Sequence, residues 1–252
     1  MSFNKLDNSY LFSLKNKVTI VAGASKGIGL AISEGFKENG AFVIGMSRQK
    51  NNSNCFDLYF ECDVTKKSDL REVSKILKQK NIYLDVLVYS AGISTLKDTN
   101  EIKFEKLINT NLVGNFLFIN FLKNLINKNS SIINISSINA KLGFPLNPGY
   151  VASKGGVEAL TRSFAIDLSK KNIRVNCIRP GYIKTQMTKK SYDNKLTREI
   201  RINKSILKRW GKTEDILGPA IFLASKASSF ITGSVITVDG GWIAKGLDEL
   251  EL

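Results

Sequence analysis

Short apolar runs alternate with longer amphipathic stretches along most of this chain. Seven of the runs have the length and the Val-, Ile-, Leu- and aromatic-rich composition of buried β-strands. They are VTIVAG (18–23), AFVIGM (41–46), LYFEC (58–62), DVLVYS (85–90), SIINIS (131–136), RVNCIR (174–179) and VITVD (235–239).

Between these runs, apolar residues recur with the spacing of helices. The predicted helices are Ile28 to Glu38, Lys67 to Lys80, Phe104 to Asn127, Ser153 to Lys170 and Thr213 to Ala227. Strands that are apolar almost throughout and are separated by helices predict a parallel sheet covered on both faces. We therefore expect a doubly wound α/β fold of about seven strands. No change of composition marks a second domain within residues 1–252.

One long polar segment interrupts this alternation. Residues 182–211, which follow Pro180 and Gly181, are basic and precede the last helix and strand. In parallel α/β sheets, ligands bind beyond the carboxyl ends of the strands, where this segment would lie. We predict that it forms a lid over the substrate.

The formal net charge of the chain is +15, and 43% of its 252 residues are hydrophobic. This net charge is the one feature that suggests a nucleic-acid binder, but the Lys and Arg residues are spread along the sequence without a long basic run. A basic surface equally suits a phosphorylated or acidic small ligand. No run of eighteen uncharged apolar residues occurs, and we expect neither nucleic acid nor a membrane as partner.

Two residue types narrow the chemistry. Cys55, Cys62 and Cys177 form no CxxC pair and cannot all be paired, and the first residues lack the apolar core of a signal peptide. A reducing cytoplasm is the expected location. The chain contains no histidine, which excludes His-based triads and His metal sites. We predict no metal, and proton transfer must use Tyr, Lys, Asp, Glu or Cys.

A glycine-rich turn links the first strand to the first long helix. Its sequence, AGASKGIG, places Gly23, Gly27 and Gly29 where the backbone can turn tightly and approach a pyrophosphate. The following helix offers free N–H groups and a partial positive charge. A plain strand-to-helix turn is the alternative, because the spacing is neither that of the dinucleotide fingerprint nor that of the phosphate loop.

Seven motifs occur in order along the chain: AGASKGIG (22–29), CDV (62–64), SAG (90–92), NTNLVG (109–114), IINISS (132–137), YVASK (150–154) and RPGYIKT (179–185). In order and spacing they resemble the short-chain dehydrogenase/reductase family, from about Leu14 to Gly241. The resemblance implies a single Rossmann domain. It also implies an enzyme that interconverts a carbonyl and a secondary alcohol with a nicotinamide cofactor.

The resemblance also assigns cofactor contacts. The glycine loop would hold the diphosphate, Asp63 and Val64 would meet the adenine, and Thr185 would bind the nicotinamide side. Asp63 could also cap the helix that follows it. The full set of expected contacts is Gly23, Ser25, Lys26, Gly27, Ile28, Gly29, Ser47, Arg48, Asp63, Val64, Ser90, Ala91, Gly92, Tyr150, Lys154, Pro180, Gly181, Ile183 and Thr185.

The end of the second strand favours NADP(H) over NAD(H). A carboxylate there would bind a free ribose 2′-hydroxyl and repel a 2′-phosphate. This chain has Ser47 and Arg48 at that place and Lys26 in the glycine loop. Each charge-assisted contact to a phosphate could contribute roughly 1.5 to 3 kcal/mol.

The candidate catalytic set is Asn111, Ser137, Tyr150 and Lys154. Tyr150 would exchange the proton, and Ser137, thirteen residues earlier, would donate a hydrogen bond to the carbonyl oxygen. A base role near neutral pH needs the phenol's pKa lowered by about two to three units, and an ammonium about 4 Å away would suffice. By resemblance, Lys154 also holds the nicotinamide ribose, and Asn111 positions a water. Ser137 could alternatively cap a turn, and Asn111 could be structural.

Three matters stay open. Ser90 stands where the family commonly has Asn, which puts local stability in doubt. The substrate is either a 3-oxoacyl thioester on an acidic carrier, for which Lys128 and Lys171 are candidate contacts, or a sugar acid or keto sugar. A cofactor-binding regulator without turnover is the alternative function. The resemblance further implies a homodimer or homotetramer. Because Gly155 and Gly156 lack side chains, we also expect them to allow close packing near the cofactor or a neighbouring subunit.

Overall fold

Seven parallel strands form the centre of the protein in the computed structural model, which describes residues 9–94 and 100–246. The expected domain of residues 1–252 therefore has ends that lie outside the described residues. The strands are β1 (Val18–Ala22), β2 (Phe42–Ser47), β3 (Leu58–Glu61), β4 (Leu84–Tyr89), β5 (Ile126–Ile135), β6 (Arg174–Pro180) and β7 (Val235–Val238).

The strand order is β3-β2-β1-β4-β5-β6-β7, so the order reverses direction between β1 and β4. At such a switch point the loops beyond the carboxyl ends of the two strands separate and leave a crevice for a ligand. The predicted doubly wound α/β fold is confirmed.

Helices cover both faces of the sheet. They are α1 (Ser9–Phe12), α2 (Gly27–Glu38), α3 (Lys67–Gln79), α4 (Glu101–Ile108), α5 (Gly114–Leu122), α6 (Pro148–Asp167), α7 (Lys189–Asp193), α8 (Lys195–Lys204) and α9 (Leu217–Ala224). A π-helical turn, Asn109–Val113, joins α4 to α5, and short 3-10 turns lie at Lys123–Leu125, Ile138–Ala140, Ser169–Lys171, Thr213–Ile216 and Lys226–Ser228.

Alternation along the strands divides the core into two layers. Ile20 and Leu87 belong to the layer covered by α3, α5 and α6, whereas Val21 and Val88 belong to the layer covered by α2 and α9. All four side chains are fully buried. Because successive strand residues face opposite sides, runs that are apolar at every position fit a sheet buried on both faces.

Two predicted helices have different boundaries in the structure. The pattern from Phe104 to Asn127 is not one helix, because the π-turn interrupts it and β5 already begins at Ile126. The helix predicted from Ser153 begins earlier, at Pro148, since proline suits the first turn of a helix. This earlier start places Tyr150 within the helix.

The segment of residues 182–211 is mostly helical rather than an open loop. It contains α7 and α8, and its two ends are joined where Gly211 N–H donates to Tyr182 O at 3.0 Å and Lys184 N–H donates to Gly211 O at 2.9 Å. The segment leaves the carboxyl end of β6, so it lies at the same edge of the sheet as the switch-point crevice. Among the described helices, none is both long and apolar enough to cross a membrane.

Candidate active site

The glycine loop is tightly packed against the start of the loop after β4. Gly23 has φ +82°, and a Cβ there would lie 2.6 Å from Ala91 N. At Gly29 a Cβ would lie 2.2 Å from the Gly23 carbonyl oxygen. Only glycine fits at these two positions, because a side chain would collide with backbone atoms.

The loop leads directly into α2, whose first turn faces a cleft of about 920 Å³. No side chain caps this end of α2, since Lys26 at the N-cap makes no side-chain cap hydrogen bond. The first N–H groups of the helix and its dipole are therefore available to an anion.

The same cleft brings together nearly all of the expected cofactor contacts. Every residue of that set except Gly29 lines it. Gly29 is buried beneath the loop and supports its fold instead of facing a ligand.

The end of the cleft beside β2 is basic. Lys26 and Arg48 line it with exposed side chains, and Ser47 is held by its Oγ, which donates to Gln49 O at 2.7 Å. Asn51 was not anticipated from the sequence, yet its Nδ2 donates to Ser25 O at 2.9 Å and ties this segment to the glycine loop. Its contact is 26 residues distant in the chain, so no local pattern could indicate it.

Asp63 was expected to contact the adenine and to cap the helix that follows it, and the structure supports these two roles only in part. Its Oδ1 accepts hydrogen bonds from Thr65 N at 3.0 Å and Thr65 Oγ1 at 2.8 Å, so the carboxylate shapes the turn before α3. The N-cap of α3 is Lys66, not Asp63. Asp63 and Val64 also line the cleft, where they remain available to an adenine.

Tyr150 and Lys154 lie one turn apart near the start of α6, on the side that faces the end of β5. Lys154 is buried, and its Nζ donates to Ile135 O at 2.8 Å and lies 5.8 Å from the centre of the Tyr150 ring. Ser137 follows β5 and lines the same cleft as both residues. The hydrogen bond from Lys154 to Ile135 O fastens the start of α6 to the end of β5. Tyr150 and Lys154 on the helix therefore lie close to Ser137, which follows the strand.

Burial changes the proton affinity of both groups. Burial raises the pKa of Tyr150, while the neighbouring Ser137 hydroxyl acts in the opposite direction. Burial lowers the pKa of Lys154 to about 8. The expected lowering of the Tyr150 pKa is therefore wrong for this structure, because removing the phenol from water disfavours its anion more than its neighbours stabilise it.

Ser137 also has the structural role that the sequence left open. Its Oγ accepts from Asn139 N at 3.2 Å and caps the short turn Ile138–Ala140. A hydroxyl oxygen that accepts one hydrogen bond can still donate its proton to another group. The cap orients Ser137 without removing its ability to donate to a carbonyl oxygen.

Asn111 does not line the cleft but is fully buried in the π-turn behind it. Its Oδ1 accepts from Ile93 N at 2.8 Å, and its Nδ2 donates to Ile93 O at 3.0 Å and to Ser153 Oγ at 3.0 Å. Asn111 therefore has the structural role that the sequence left open, since its side chain links the loop after β4 to α6. A π-turn within a helix is frequently found at functional sites.

A buried ion pair below the site was not anticipated. Glu158, one turn after Lys154, accepts from Arg179 Nε at 2.8 Å and from Arg179 Nη2 at 2.6 Å, and it accepts from Ser136 Oγ at 2.9 Å. This network joins α6, β6 and the end of β5. It holds the helix that carries Tyr150 against the strands that flank the cleft.

The two glycines after Lys154 differ. A Cβ at Gly156 would lie 2.7 Å from Leu112 Cδ2, whereas a Cβ at Gly155 would have only Ala140 O nearby, at 3.9 Å. Gly156 thus allows α6 to approach the π-turn within the same chain. The packing of Gly155 near the cofactor or against a neighbouring subunit stays a prediction.

Lys128 and Lys171 lie far from the cleft within the chain. Lys128 is near the amino end of β5, and Lys171 follows the carboxyl end of α6, so both lie at the sheet edge opposite to Tyr150. Lys171 Nζ donates to Lys123 O at 3.5 Å. Neither lysine lines the described cleft.

Ser90 occupies the expected position at the end of β4. Its N–H donates to Ala22 O at 2.9 Å, and it lines the cleft beside the glycine loop. The strand pairing at this point is intact. The described residues contain no cluster of acidic or Cys side chains that could hold a metal ion.

A phenol beside a buried lysine, in a cleft large enough for a dinucleotide, is suited to moving hydrogen, and it places the protein among the oxidoreductases. A family model described as Enoyl-(Acyl carrier protein) reductase matches residues 23–243. The chain belongs to the short-chain dehydrogenase/reductase family, as its motifs predicted.

Curated relatives of two kinds share almost its whole length. The chain is 34% identical over 248 residues to 2-dehydro-3-deoxy-D-gluconate 5-dehydrogenase of Bacillus subtilis, with 93% of this chain and 97% of that protein covered. It is 36% identical over 246 residues to the 3-oxoacyl-acyl-carrier-protein reductase of Thermotoga maritima, covering 91% and 99%.

A solved structure agrees in fold. The gluconate 5-dehydrogenase from Burkholderia cenocepacia, crystallised with NADP and tartrate, has a TM-score of 0.88 and 26% identity. The match covers 94% of this chain and 99% of that one.

Proposed function

We propose that this protein is an NADP(H)-dependent oxidoreductase that interconverts a carbonyl and a secondary alcohol. The substrate would be a sugar acid, a keto sugar or a 3-oxoacyl thioester. The observation that carries the proposal is the position of Tyr150, with Lys154 behind it and Ser137 beside it, at the end of β5 in the cleft.

The cleft fits a dinucleotide on structural grounds. The glycine loop leaves no room for a Cβ at Gly23, and the uncapped first turn of α2 presents N–H groups to an anion. A Cβ at Gly92 would lie 3.4 Å from Asn111 Oδ1 and 3.6 Å from Lys154 Nζ, so this glycine of the cleft lies beside two of the candidate catalytic residues.

The basic end of the cleft supports NADP(H) over NAD(H). Lys26 and Arg48 line it, and Asp63, the acidic residue nearby, already accepts two hydrogen bonds from Thr65. A 2′-phosphate would meet two cations there. Gln49 lines the same end and would supply a neutral donor.

When bound, the nicotinamide supplies or accepts a hydride. The residues of this chain manage the accompanying proton and charge. Tyr150, whose pKa is raised by burial, is protonated at neutral pH and can give its proton to the nascent alkoxide. Ser137 would donate a hydrogen bond to the same oxygen, and the Lys154 ammonium would stabilise the phenolate that remains.

We extend the proposal to the cellular compartment and the oligomeric state of the protein. Cys55, Cys62 and Cys177 are all free thiols, which supports a reducing compartment such as the cytoplasm. Exposed apolar side chains on α5 and α6, among them Phe116 and Ile166, support a homodimer or homotetramer.

The deciding experiment measures NADPH oxidation with acetoacetyl thioesters and keto-sugar acids, with wild type and Tyr150→Phe. The variant should lose about 10²- to 10⁴-fold in kcat, which is the usual contribution of a positioned proton donor, and should still bind NADPH. Substitution of phenol by phenyl changes little in the packing, so thermal stability should be retained.

A cofactor-binding regulator would give the opposite result. It would bind NADPH but turn over no carbonyl compound, and Tyr150→Phe would change nothing. Full activity in the variant would remove Tyr150 from the mechanism.

A further inference from the structure

The first residues of the segment 182–211 pack against the glycine loop. A Cβ at Gly27 would lie 3.6 Å from both Cβ and Cγ2 of Thr185, which is an ordinary van der Waals distance. Gly27 is the first residue of α2, so Thr185 lies beside the helix end whose N–H groups are available to an anion. Thr185 also lines the cleft, and its side chain is therefore placed beside the expected position of the cofactor.

Thr188, three residues later, closes this part of the chain into a compact turn. Its Oγ1 accepts from Thr185 N at 3.0 Å and donates to Ile183 O at 2.6 Å. Its own N–H donates to Thr185 O at 3.2 Å. One residue thus binds the backbone on both sides of the Thr185 side chain and fixes where that side chain lies.

The hydroxyl of Thr188 is not used to cap the helix that begins after it. Thr188 occupies the N-cap position of α7, and its carbonyl oxygen accepts from Ser191 N and Tyr192 N, each at 3.0 Å. A threonine at this position ordinarily accepts a hydrogen bond from the first turn of the helix through its hydroxyl. Here no side chain caps α7, and the hydroxyl points back to the turn that contains Thr185.

The same hydroxyl has no hydrogen-bonding capacity left for a ligand. A hydroxyl has one proton and two lone pairs. The proton goes to Ile183 O at 2.6 Å in preference to Thr185 O at 3.2 Å, and one lone pair accepts from Thr185 N. The second lone pair faces Thr185 Oγ1 at 3.3 Å, so Thr185 is the donor in this contact. Thr188 lines the cleft without a free polar group, whereas the Thr185 oxygen keeps both of its lone pairs.

From these contacts we propose that Thr188 is a positioning residue for the cofactor site, whose hydroxyl holds Thr185 against the glycine loop. Thr188 acts through Thr185 and does not contact the cofactor itself. The proposal rests on the proposed function, because NADP(H) is the ligand that Thr185 would contact.

The first test removes the hydroxyl and keeps the shape of the side chain. In Thr188→Val, Thr185 N and Ile183 O lose their partner, and NADPH binding measured by fluorescence titration should weaken by about 3- to 10-fold. Thr188→Ser keeps the hydroxyl and should bind NADPH nearly as tightly as wild type. Thr197→Val is the matched control, because it makes the same exchange in α8 of the same segment, away from the cleft, and should leave binding unchanged.

A double-mutant cycle distinguishes positioning from general support of the fold. Thr185→Val with Thr188→Val should bind NADPH no more weakly than Thr185→Val alone, since the group that Thr188 positions is already absent. In steady-state kinetics, the loss in Thr188→Val should appear in KM for NADPH and not in kcat.

Three results would refute the role of Thr188. They are unchanged NADPH binding in Thr188→Val, equal losses in Thr188→Val and Thr188→Ser, and additive losses of the two valine substitutions in the cycle. Failure of the proposed function gives a different result. A wild type that binds NADPH but turns over no carbonyl compound would overturn the enzymatic proposal, while the cycle, which measures binding alone, would still decide whether Thr188 positions Thr185.

Discussion

Burial acts in opposite directions on the two titratable groups of the active site. It raises the pKa of Tyr150, which keeps the phenol protonated, and it lowers the pKa of Lys154 to about 8, which brings the ammonium close to deprotonation at mildly alkaline pH. In the proposed reduction, the protonated phenol beside a charged lysine would be the state that donates the proton. Under this proposal, proton donation is expected below about pH 8.

A pH profile follows from these shifts. The kcat/KM for carbonyl reduction, which reports on the free enzyme, should be constant below about pH 8 and fall above it as Lys154 loses its proton. Since the Tyr150 pKa is raised, the phenol does not contribute to this fall. Lys154→Arg, which keeps its charge, should be slower but lack the fall, and a wild-type profile that is flat to about pH 10 would contradict the assignment.

Arg48 should decide cofactor preference. Arg48→Ala is expected to weaken NADPH binding by about 10- to 100-fold, because one charge-assisted contact to a phosphate is lost, and to leave NADH binding unchanged. Titration of each cofactor by fluorescence measures both constants. Lys50→Ala is the control, since Lys50 is exposed nearby but does not line the cleft. Tighter binding of NADH than NADPH by wild type would refute the cofactor assignment.

Residues with a local signature could be predicted from the sequence, and residues defined by tertiary contacts could not. Tyr150, Lys154 and Ser137 stand at fixed spacings within motifs, and the structure brings all three to one cleft. Arg179 and Glu158 meet across 21 residues, and no pattern in either segment indicates an ion pair. The pKa of Tyr150 also could not be predicted, because it depends on how completely the folded chain removes the phenol from water.

At the scale of elements, the strands were more predictable than the helix boundaries. Apolar runs specify buried strands directly, but the stretch from Phe104 to Asn127 contains several elements with similar apolar content. The π-turn Asn109–Val113 arises where the Asn111 side chain bonds Ile93 and Ser153, and both contacts depend on the assembled fold. Periodicity alone does not reveal such a change of helical geometry.

The glycine loop and α2 form one unit whose packing depends on Gly29. Gly29→Ala would place a Cβ 2.2 Å from Gly23 O, so backbone must move. We expect a loss of about 1–3 kcal/mol in the free energy of unfolding and strongly weakened NADPH binding. Thermal denaturation and cofactor titration measure the two effects.

A matched glycine provides the control. Gly218→Ala lies in α9 with nothing within 4 Å of the added Cβ, and it should be neutral or stabilising by up to about 1 kcal/mol. If Gly29→Ala melts and binds like wild type, the packing role of Gly29 is refuted.

At the scale of the whole molecule, apolar surface and charge are unevenly placed. Phe116 on α5 is 43% exposed and Ile166 on α6 is 74% exposed, whereas much of the net charge lies in residues 182–211. An apolar helical surface away from the basic entrance suits contact with a second copy of the chain. Assembly through it would leave the cleft open.

The assembly state is directly measurable. Wild type should run as a dimer or tetramer in light scattering after size-exclusion chromatography, and Phe116→Lys with Ile166→Lys should shift it to smaller species, because two buried charges would oppose association. Tyr83→Lys, at a side chain 47% exposed on another surface, should leave the mass unchanged. A monomeric wild type at micromolar concentration would refute the proposed assembly.

The three buried thiols, Cys55, Cys62 and Cys177, can report on unfolding of the protein, because a thiol reagent reaches them when the fold opens. Burial raises the pKa of Cys62 and of Cys177 to about 12, and raises that of Cys55, so almost no reactive thiolate exists at neutral pH. Cys62 lines the cleft just after β3, and Cys177 is fully buried in β6 on the other side of the sheet's centre. The order in which a thiol reagent labels them therefore reports which half of the sheet unfolds first, with no added probe.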